Sequence, residues 1–121
     1  MQVIEQLRQF LKVAESRCGW SLWLESKREI AVYVRCSSHS CGELGIVTTL
    51  DIANIQVRTK PGQGTYSRFL RLAHAMHPFQ ATYVENIYAE RFMAYHQRLG
   101  FLRADQDICV YLPTGVEIPD A

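Results

Sequence analysis

The stretch Lys60-Pro61-Gly62-Gln63-Gly64-Thr65-Tyr66 decides the fold, because the period of the chain changes across it. Upstream, residues 44–50 and 52–57 form a β-rich run broken at Asp51, which reads as two strands with a tight connection or as one bent strand. Downstream, Tyr66, Phe69, Leu70, Ala73 and Met76 recur at helical spacing, and Pro78 stops the helix near Met76. A strand that hands a Gly-x-Gly turn to a helix N-terminus exposes several backbone N–H groups with little side-chain bulk around them. The free N–H groups and the helix dipole both favour an anion, so the junction is suited to phosphate.

Outward from the turn, the chain alternates helices and short strands. Val3, Ile4, Leu7, Phe10, Leu11 and Ala14 form one apolar stripe, which predicts an amphipathic helix over residues 2–16. Residues 20–24 and 30–36 read as two strands joined by the polar link Ser26-Lys27-Arg28-Glu29, hence a hairpin. Residues 37–43 are polar and contain glycine, which predicts a loop, and Asp51 reads as a turn residue or cap. Beyond Pro78, residues 81–87 read as a strand. Tyr88, Phe92, Tyr95, His96 and Leu99 share one helical face, with Gly100 as its stop. Residues 101–103 and 108–112 close the chain as a β pair, and the tail after Pro113 is irregular. The expected fold is α/β (α+β), with a single mixed, largely antiparallel sheet flanked by helices, and residues 1–121 form one domain.

Composition narrows the class of function. With 48% hydrophobic and 21% charged residues in 121, the chain is that of an ordinary soluble globular protein. Thirteen basic against twelve acidic residues leave a formal charge of +1, which gives no global electrostatic reason for a nucleic-acid or membrane partner. No apolar run reaches the roughly 18 residues of a membrane span and the N-terminus carries no secretory core, so a cytoplasmic location is expected. Four cysteines (Cys18, Cys36, Cys41, Cys109) fit that compartment as thiols. Cys36, His39 and Cys41 match no common zinc spacing, and no metal is expected.

Two blocks read together. They are the Gly-x-Gly turn with its strand and helix, and the later run from Tyr83-Val84-Glu85-Asn86-Ile87 to Tyr95-His96-Gln97-Arg98-Leu99-Gly100-Phe101. Over residues 44–112 this pairing resembles the GNAT acetyltransferase superfamily, in which the glycine turn holds the coenzyme A pyrophosphate. The resemblance implies an acyl-CoA-dependent N-acyltransferase that uses acetyl-CoA as co-substrate, with direct attack by a primary amine of unidentified origin. It equally allows a catalytically inactive GNAT-like CoA-binding or protein-interaction module. It implies that pantetheine runs along the backbone at Ile55 and Val57. The pyrophosphate meets the amides of Gly62, Gln63, Gly64, Thr65 and Tyr66, with Arg58 and Lys60 adding charge at the rim. The sequence departs from the family's pattern at Pro61, Tyr66 and Ala89, and at His96, which stands where a thiolate-protonating tyrosine is usual.

Transfer of an acyl group to nitrogen needs a neutral amine, a stabilised oxyanion and a proton for the departing thiolate. His96 is the first donor candidate, since imidazole exchanges a proton near neutral pH, but its apolar neighbours also fit a hydrogen-bonded core histidine. Tyr95, adjacent, is a second donor candidate or a packing residue. Glu85 interrupts an apolar strand and reads as a base, direct or through water, or as a residue facing solvent. His74 and His77 read as a solvated helix end, and Trp20 and Trp23 as core or rim packing. A homodimer through residues 101–112 is possible.

Overall fold

The computed structural model describes residues 1–119. Three helices and six strands follow one another as α1 (Gln2–Ala14), β1 (Ser21–Ser26), β2 (Ile30–Ser40), β3 (Ile46–Val57), α2 (Thr65–Met76), β4 (Ala81–Val84), α3 (Glu90–Arg98), β5 (Leu102–Arg103) and β6 (Val110–Pro113). The strands form one sheet in the order β1-β2-β3-β4-β6-β5. Only β3 and β4 run parallel, and α2 makes the crossover such a pair requires. The mixed, mainly antiparallel sheet flanked by helices is the architecture the sequence implies.

Strand alternation sorts side chains onto two unlike faces. Val32, Val34 and Cys36 of β2 and Leu50 and Ile52 of β3 point toward the helices. They join Leu7 and Phe10 of α1, Phe69 and Leu70 of α2, and Met93 of α3 in one core cluster. A fully buried leucine or isoleucine in such a cluster contributes about 1.5–3 kcal/mol by leaving water. The smaller cluster on the opposite face (Cys41, Val47, Ala81, Tyr111) draws no residue from any helix. That helix-free face also carries Tyr33, Arg35, Ser37 and His39 of β2.

Two local readings are corrected here. Residues 37–40 belong to β2 rather than to a loop, and a short 3₁₀ turn (Gly42–Leu44) follows. Ser37 and His39 alternate onto the helix-free face, Ser38 is only partly buried, and Ser40 is exposed with its hydroxyl bonded to Asp105. The same alternation sends Cys36 into the helical core, away from His39 and Cys41. Asp51 is no turn residue. It sits in the middle of β3, opposite Arg35 and beside Tyr83, with no exposed surface.

The feature that opens the sheet is a bulge. Val34 pairs with Ile52 but Tyr33 pairs with Asn54, leaving Ala53 as the extra residue of β3. Pairing with β4 ends at the same place, at Ile52 opposite Val84. Beyond it β4 peels away. Asn86 adopts a left-handed backbone (φ 61°), a conformation asparagine accepts more readily than most residues. Its Nδ2 donates to the Ala53 carbonyl at 2.7 Å, which fixes the start of the opening.

Candidate functional site

Past the bulge, β3 keeps β2 on one side and has no strand on the other. Arg58 N–H donates to Glu29 O on the β2 side. By alternation, the amides and carbonyls of Ile55 and Val57 therefore face the gap that β4 has left. A cavity of about 430 Å³ occupies this gap, lined by Ala53, Asn54, Ile55, Glu85, Asn86, Tyr88 and Phe92. Phe92 also borders a second cavity of about 440 Å³ between the glycine turn and α3. Together they form a track from the turn into the split sheet.

The turn leaves backbone N–H groups without acceptors in the helix. Gly62 and Gly64 have φ of 87° and 70°, and Gly64 caps α2 in the left-handed region that a side chain would strain. The first intrahelical bond runs from Arg68 N–H to Gly64 O at 2.9 Å, so the amides of Thr65, Tyr66 and Ser67 have no helical acceptor. A hydrogen bond of 2.6 Å between the Thr59 and Thr65 hydroxyls closes the base of the turn. Lys60, Gly62, Gln63, Gly64, Thr65, Tyr66 and Val57 all line the second cavity, and Ile55 lines the first. Arg58 is brought to neither, because its guanidinium donates to Ser26 O (3.2 Å) and to Glu25 (2.6 Å) beside the hairpin.

Two cations missed by the sequence reading do line the second cavity: Arg91 and Arg98 of α3. With Tyr95 they recur at i, i+4, i+7, a stripe one step round from the apolar one. That spacing was the available signal. Tyr95 is on the cavity wall, its hydroxyl hydrogen-bonded to Ser67 Oγ, its ring stacked on Phe92 and the Arg98 guanidinium 6.0 Å above it.

His96 is elsewhere. It has no exposed surface and borders neither cavity. Its Nδ1 lies 2.8 Å from the Phe92 carbonyl, which only accepts, so Nδ1 carries the proton. Its Nε2 therefore accepts the Tyr66 hydroxyl at 2.7 Å. Burial lowers the His96 pKa, with the Phe92 carbonyl opposing, and burial raises that of Tyr66 well above the usual phenol. Both groups are held neutral, and both ring nitrogens of His96 are engaged within the core.

A different histidine meets the carboxylates. On the helix-free face, buried Asp51 accepts from Arg35 Nε (3.0 Å), Thr49 Oγ1 (2.5 Å), His39 Nε2 (3.1 Å) and the Ser37 hydroxyl. Arg35 Nη2 donates to both oxygens of Glu85 at 2.6 Å, and Glu85 Oε1 is 3.7 Å from His39 Nε2. Nε2 carries the proton toward Asp51. The Nδ1 of His39 has no partner among the described residues, while its ring packs on Tyr83 at 3.7 Å. Burial works against the Arg35 charge, but Asp51 and Glu85 outweigh it and hold the Arg35 pKa above the usual value. The donor atoms of His39, Asp51 and Glu85 gather within 4.8 Å, a spacing a metal ion would accept, but the positive charge bonded to both carboxylates is the guanidinium.

His74 and His77 are also buried rather than solvated. His74 Nε2 donates to Val116 O (2.7 Å), so its Nδ1 accepts from the Thr82 hydroxyl (2.7 Å). That hydroxyl in turn accepts from His77 Nε2 (2.7 Å), and His77 Nδ1 accepts from Phe79 N–H (3.1 Å). Trp20 and Trp23 are rim residues, 37% and 45% exposed.

An open mixed sheet split beside a glycine turn, with helices gathered on one face, is a GNAT-like fold, and solved structures agree. A point mutant of the AtaT toxin, bound to the C-terminus of the antitoxin AtaR and acetyl-CoA, superposes with a TM-score of 0.58 at 14% identity, covering 71% of this chain and 59% of that one. The KacTA–DNA complex gives 0.56 at 18% identity over 91% of this chain and 80% of the other. AtaT complexed with acetyl-methionyl-tRNAfMet gives 0.56 at 13% identity over 91% and 82%. Identities this low establish the fold alone. The chain spans about three fifths of the AtaT chain in the acetyl-CoA complex. No protein-family model and no curated protein sequence matches. Two of these neighbours were solved with nucleic acid, so the absence of such a partner, expected from net charge, has no support. Among the described residues, no helix is long and apolar enough to cross a membrane.

Proposed function

We propose that this chain is an acyl-CoA-dependent N-acyltransferase that moves acetyl from acetyl-CoA to a primary amine by direct attack. The observation that carries the reading is the track itself: two cavities meeting at Phe92, with free amides and cations at one end and a split sheet at the other. The thioester supplies the activated acyl group; the chain supplies grip, orientation and proton management. The amides of residues 62–67, at the positive end of α2, hold the pyrophosphate, and Lys60, Arg91 and Arg98 add charge. The edge of β3 at Ile55 and Val57 hydrogen-bonds the pantetheine amides. The same edge offers an N–H to the oxygen on which charge develops.

The proton roles follow from position. Tyr95, on the cavity wall and bonded to Ser67, is the donor to the departing thiolate. Glu85, at the split end, receives the amine and takes, directly or through water, the proton the nitrogen loses on attack. His96 acts as a positioning residue: by accepting from the Tyr66 hydroxyl it fixes the helix that carries the amides. The rival reading, a binding module without transfer, draws on the same fact, since a histidine with both nitrogens engaged has no proton to give.

Calorimetric titration with acetyl-CoA and with CoA, followed by a thiol-release assay over small amines, peptides and aminoacyl-tRNA, tests this. Binding with release of CoA in the presence of one acceptor class is expected. No binding at millimolar ligand contradicts the reading, and binding without transfer to any acceptor favours the module.

A further inference from the structure

Away from the track, two thiols are held against each other. Residues 17–20 form a tight turn between α1 and β1, closed by Trp20 N–H donating to Arg17 O at 3.2 Å. Gly19 takes the third place of that turn with φ 93°, a positive value that glycine accepts without strain, and Cys18 takes the second. The turn is pinned to β2 on both sides of the glycine. Gly19 N–H donates to Cys36 O at 2.7 Å, and Cys36 N–H donates to Trp20 O at 3.0 Å. This pinning lets the Cys18 and Cys36 thiols share a hydrogen bond. Their surroundings differ. Cys18 is exposed, whereas Cys36 is buried in the helical core cluster. The other two cysteines are buried, with Cys41 in the cluster on the opposite face of the sheet. Burial, then the neighbouring Cys18 sulfur, pushes the Cys36 thiol up to about 11.

We propose that Cys18 and Cys36 are an oxidation site, which a hydroperoxide converts into an intramolecular disulfide that staples the α1–β1 turn to β2. The inference stands apart from the transferase reading. Cys18 is the sulfur that an oxidant in solution can reach, so it reacts first. Its thiolate attacks the peroxide: an S–O bond forms, the O–O bond breaks, and the departing hydroxide takes up the proton the thiol released. Cys36 then attacks the sulfur of the resulting sulfenic acid. The S–S bond forms, the S–O bond breaks, and hydroxide leaves as water with the Cys36 proton. Two electrons pass from the sulfurs to the peroxide, and one hydrogen peroxide becomes two waters. Cys36 stays protonated at neutral pH, so this second step is the slower one. The same property protects the product. A reductant attacking the exposed Cys18 sulfur must expel the Cys36 thiolate, a poor leaving group. The closed ring, residues 18–36, contains β1 and its hairpin, so the bond restrains the unfolded chain and ties down the edge of the sheet.

The test uses the full chain, reduced and freed of reductant, then treated at neutral pH with hydrogen peroxide in slight excess. The intact mass is expected to fall by two hydrogens, and half of the four free thiols to disappear. Non-reducing peptide mapping should join Cys18 to Cys36 alone. The unfolding temperature should rise by at least about 5 °C and fall back with dithiothreitol. Cys36→Ala should stop the reaction at the Cys18 sulfenic acid, trapped as its dimedone adduct, and Cys18→Ser should leave Cys36 a thiol at the same dose. In urea, distance along the chain decides, and Cys36 should pair instead with Cys41, its nearest cysteine in sequence. Four persisting thiols, a link to Cys41 or Cys109 in the folded protein, or dimers joined through Cys18 overturns the proposal. So does Cys18 driven to the sulfinic acid without a link, an equal share of the Cys18–Cys36 link in urea, or a disulfide that leaves the unfolding temperature unmoved. Mapping of the unaltered protein decides the matter even where Cys36→Ala fails to fold.

Discussion

His96 and His39 lie on opposite sides of one sheet and are treated oppositely by the fold. His96 stands where sequence position would put a proton donor, yet it is sealed, with one nitrogen on Phe92 and the other on Tyr66. His39 stands in a stretch that reads as a loop, yet it is oriented by a buried aspartate and keeps one nitrogen without a partner among the described residues. What makes a histidine available for chemistry is a spare nitrogen, and position along a helix does not supply it.

The contrast is broken most severely by removing Asp51. Asp51→Ala leaves Arg35, Thr49, Ser37 and His39 without their shared acceptor, and losing one partner of a buried ion pair costs about 3–5 kcal/mol. Urea unfolding should show a loss of that size. A change under about 1 kcal/mol would mean the cluster is solvated in solution.

Acid should act on the third histidine group. Burial, then repulsion from His74, lowers the His77 pKa to about 4, and burial lowers that of His74. Folded-state values below the ordinary 6.5 mean that the unfolded chain takes up protons first as the pH falls. Stability is therefore full above about pH 6.5 and declines toward pH 4, by about 2–3 kcal/mol for His77 alone. A denaturation series from pH 7.5 to 4 should show this decline, and a His77→Gln variant should flatten it.

His96→Ala comes next. It opens a void and strands the Tyr66 hydroxyl, a loss of about 2–3 kcal/mol, while acetyl-CoA binding persists at temperatures where the variant is folded. A stability unchanged within about 0.5 kcal/mol, with turnover abolished, would make His96 a proton donor after all.

The glycine turn gives smaller effects on the fold and larger ones on the ligand. A Cβ at Gly64 meets nothing within 4 Å, so Gly64→Val acts through its φ of 70° and costs about 1–2 kcal/mol of strain. Displacing the amides should lower CoA affinity at least tenfold. Arg91→Ala and Arg98→Ala, as rim cations, should each lower it only about threefold and less at high salt, since screened surface charges are worth about 0.2–1 kcal/mol.

Much of the fold was legible in the sequence because its signals are local. The stripe Val3-Leu7-Phe10-Ala14, the Gly62–Gly64 turn and the Gly100 stop each act within a few residues. What was not legible depends on partners far along the chain. Asp51 and Arg35 are sixteen positions apart and Arg35 and Glu85 fifty, so a buried aspartate read as a turn. His74 is buried because Val116 folds back over it, forty-two positions on. Ser37 and His39 looked like a loop because polar residues on an open sheet face lack the apolar half of the alternation that marks a strand. At the site, the turn and Tyr95 could be named from motif spacing, whereas Arg91 and Arg98 required knowing which face of α3 meets the turn.

The central claim is that the track between the glycine turn and the split in the sheet holds an acyl-CoA. Amide shifts of the labelled protein on addition of acetyl-CoA test it most directly. The largest changes are predicted at Gly62 to Ser67, at Ile55 and Val57, and at Tyr95, with β1 and α1 unmoved. No change at millimolar acetyl-CoA, or changes confined to residues outside the two cavities, would contradict it.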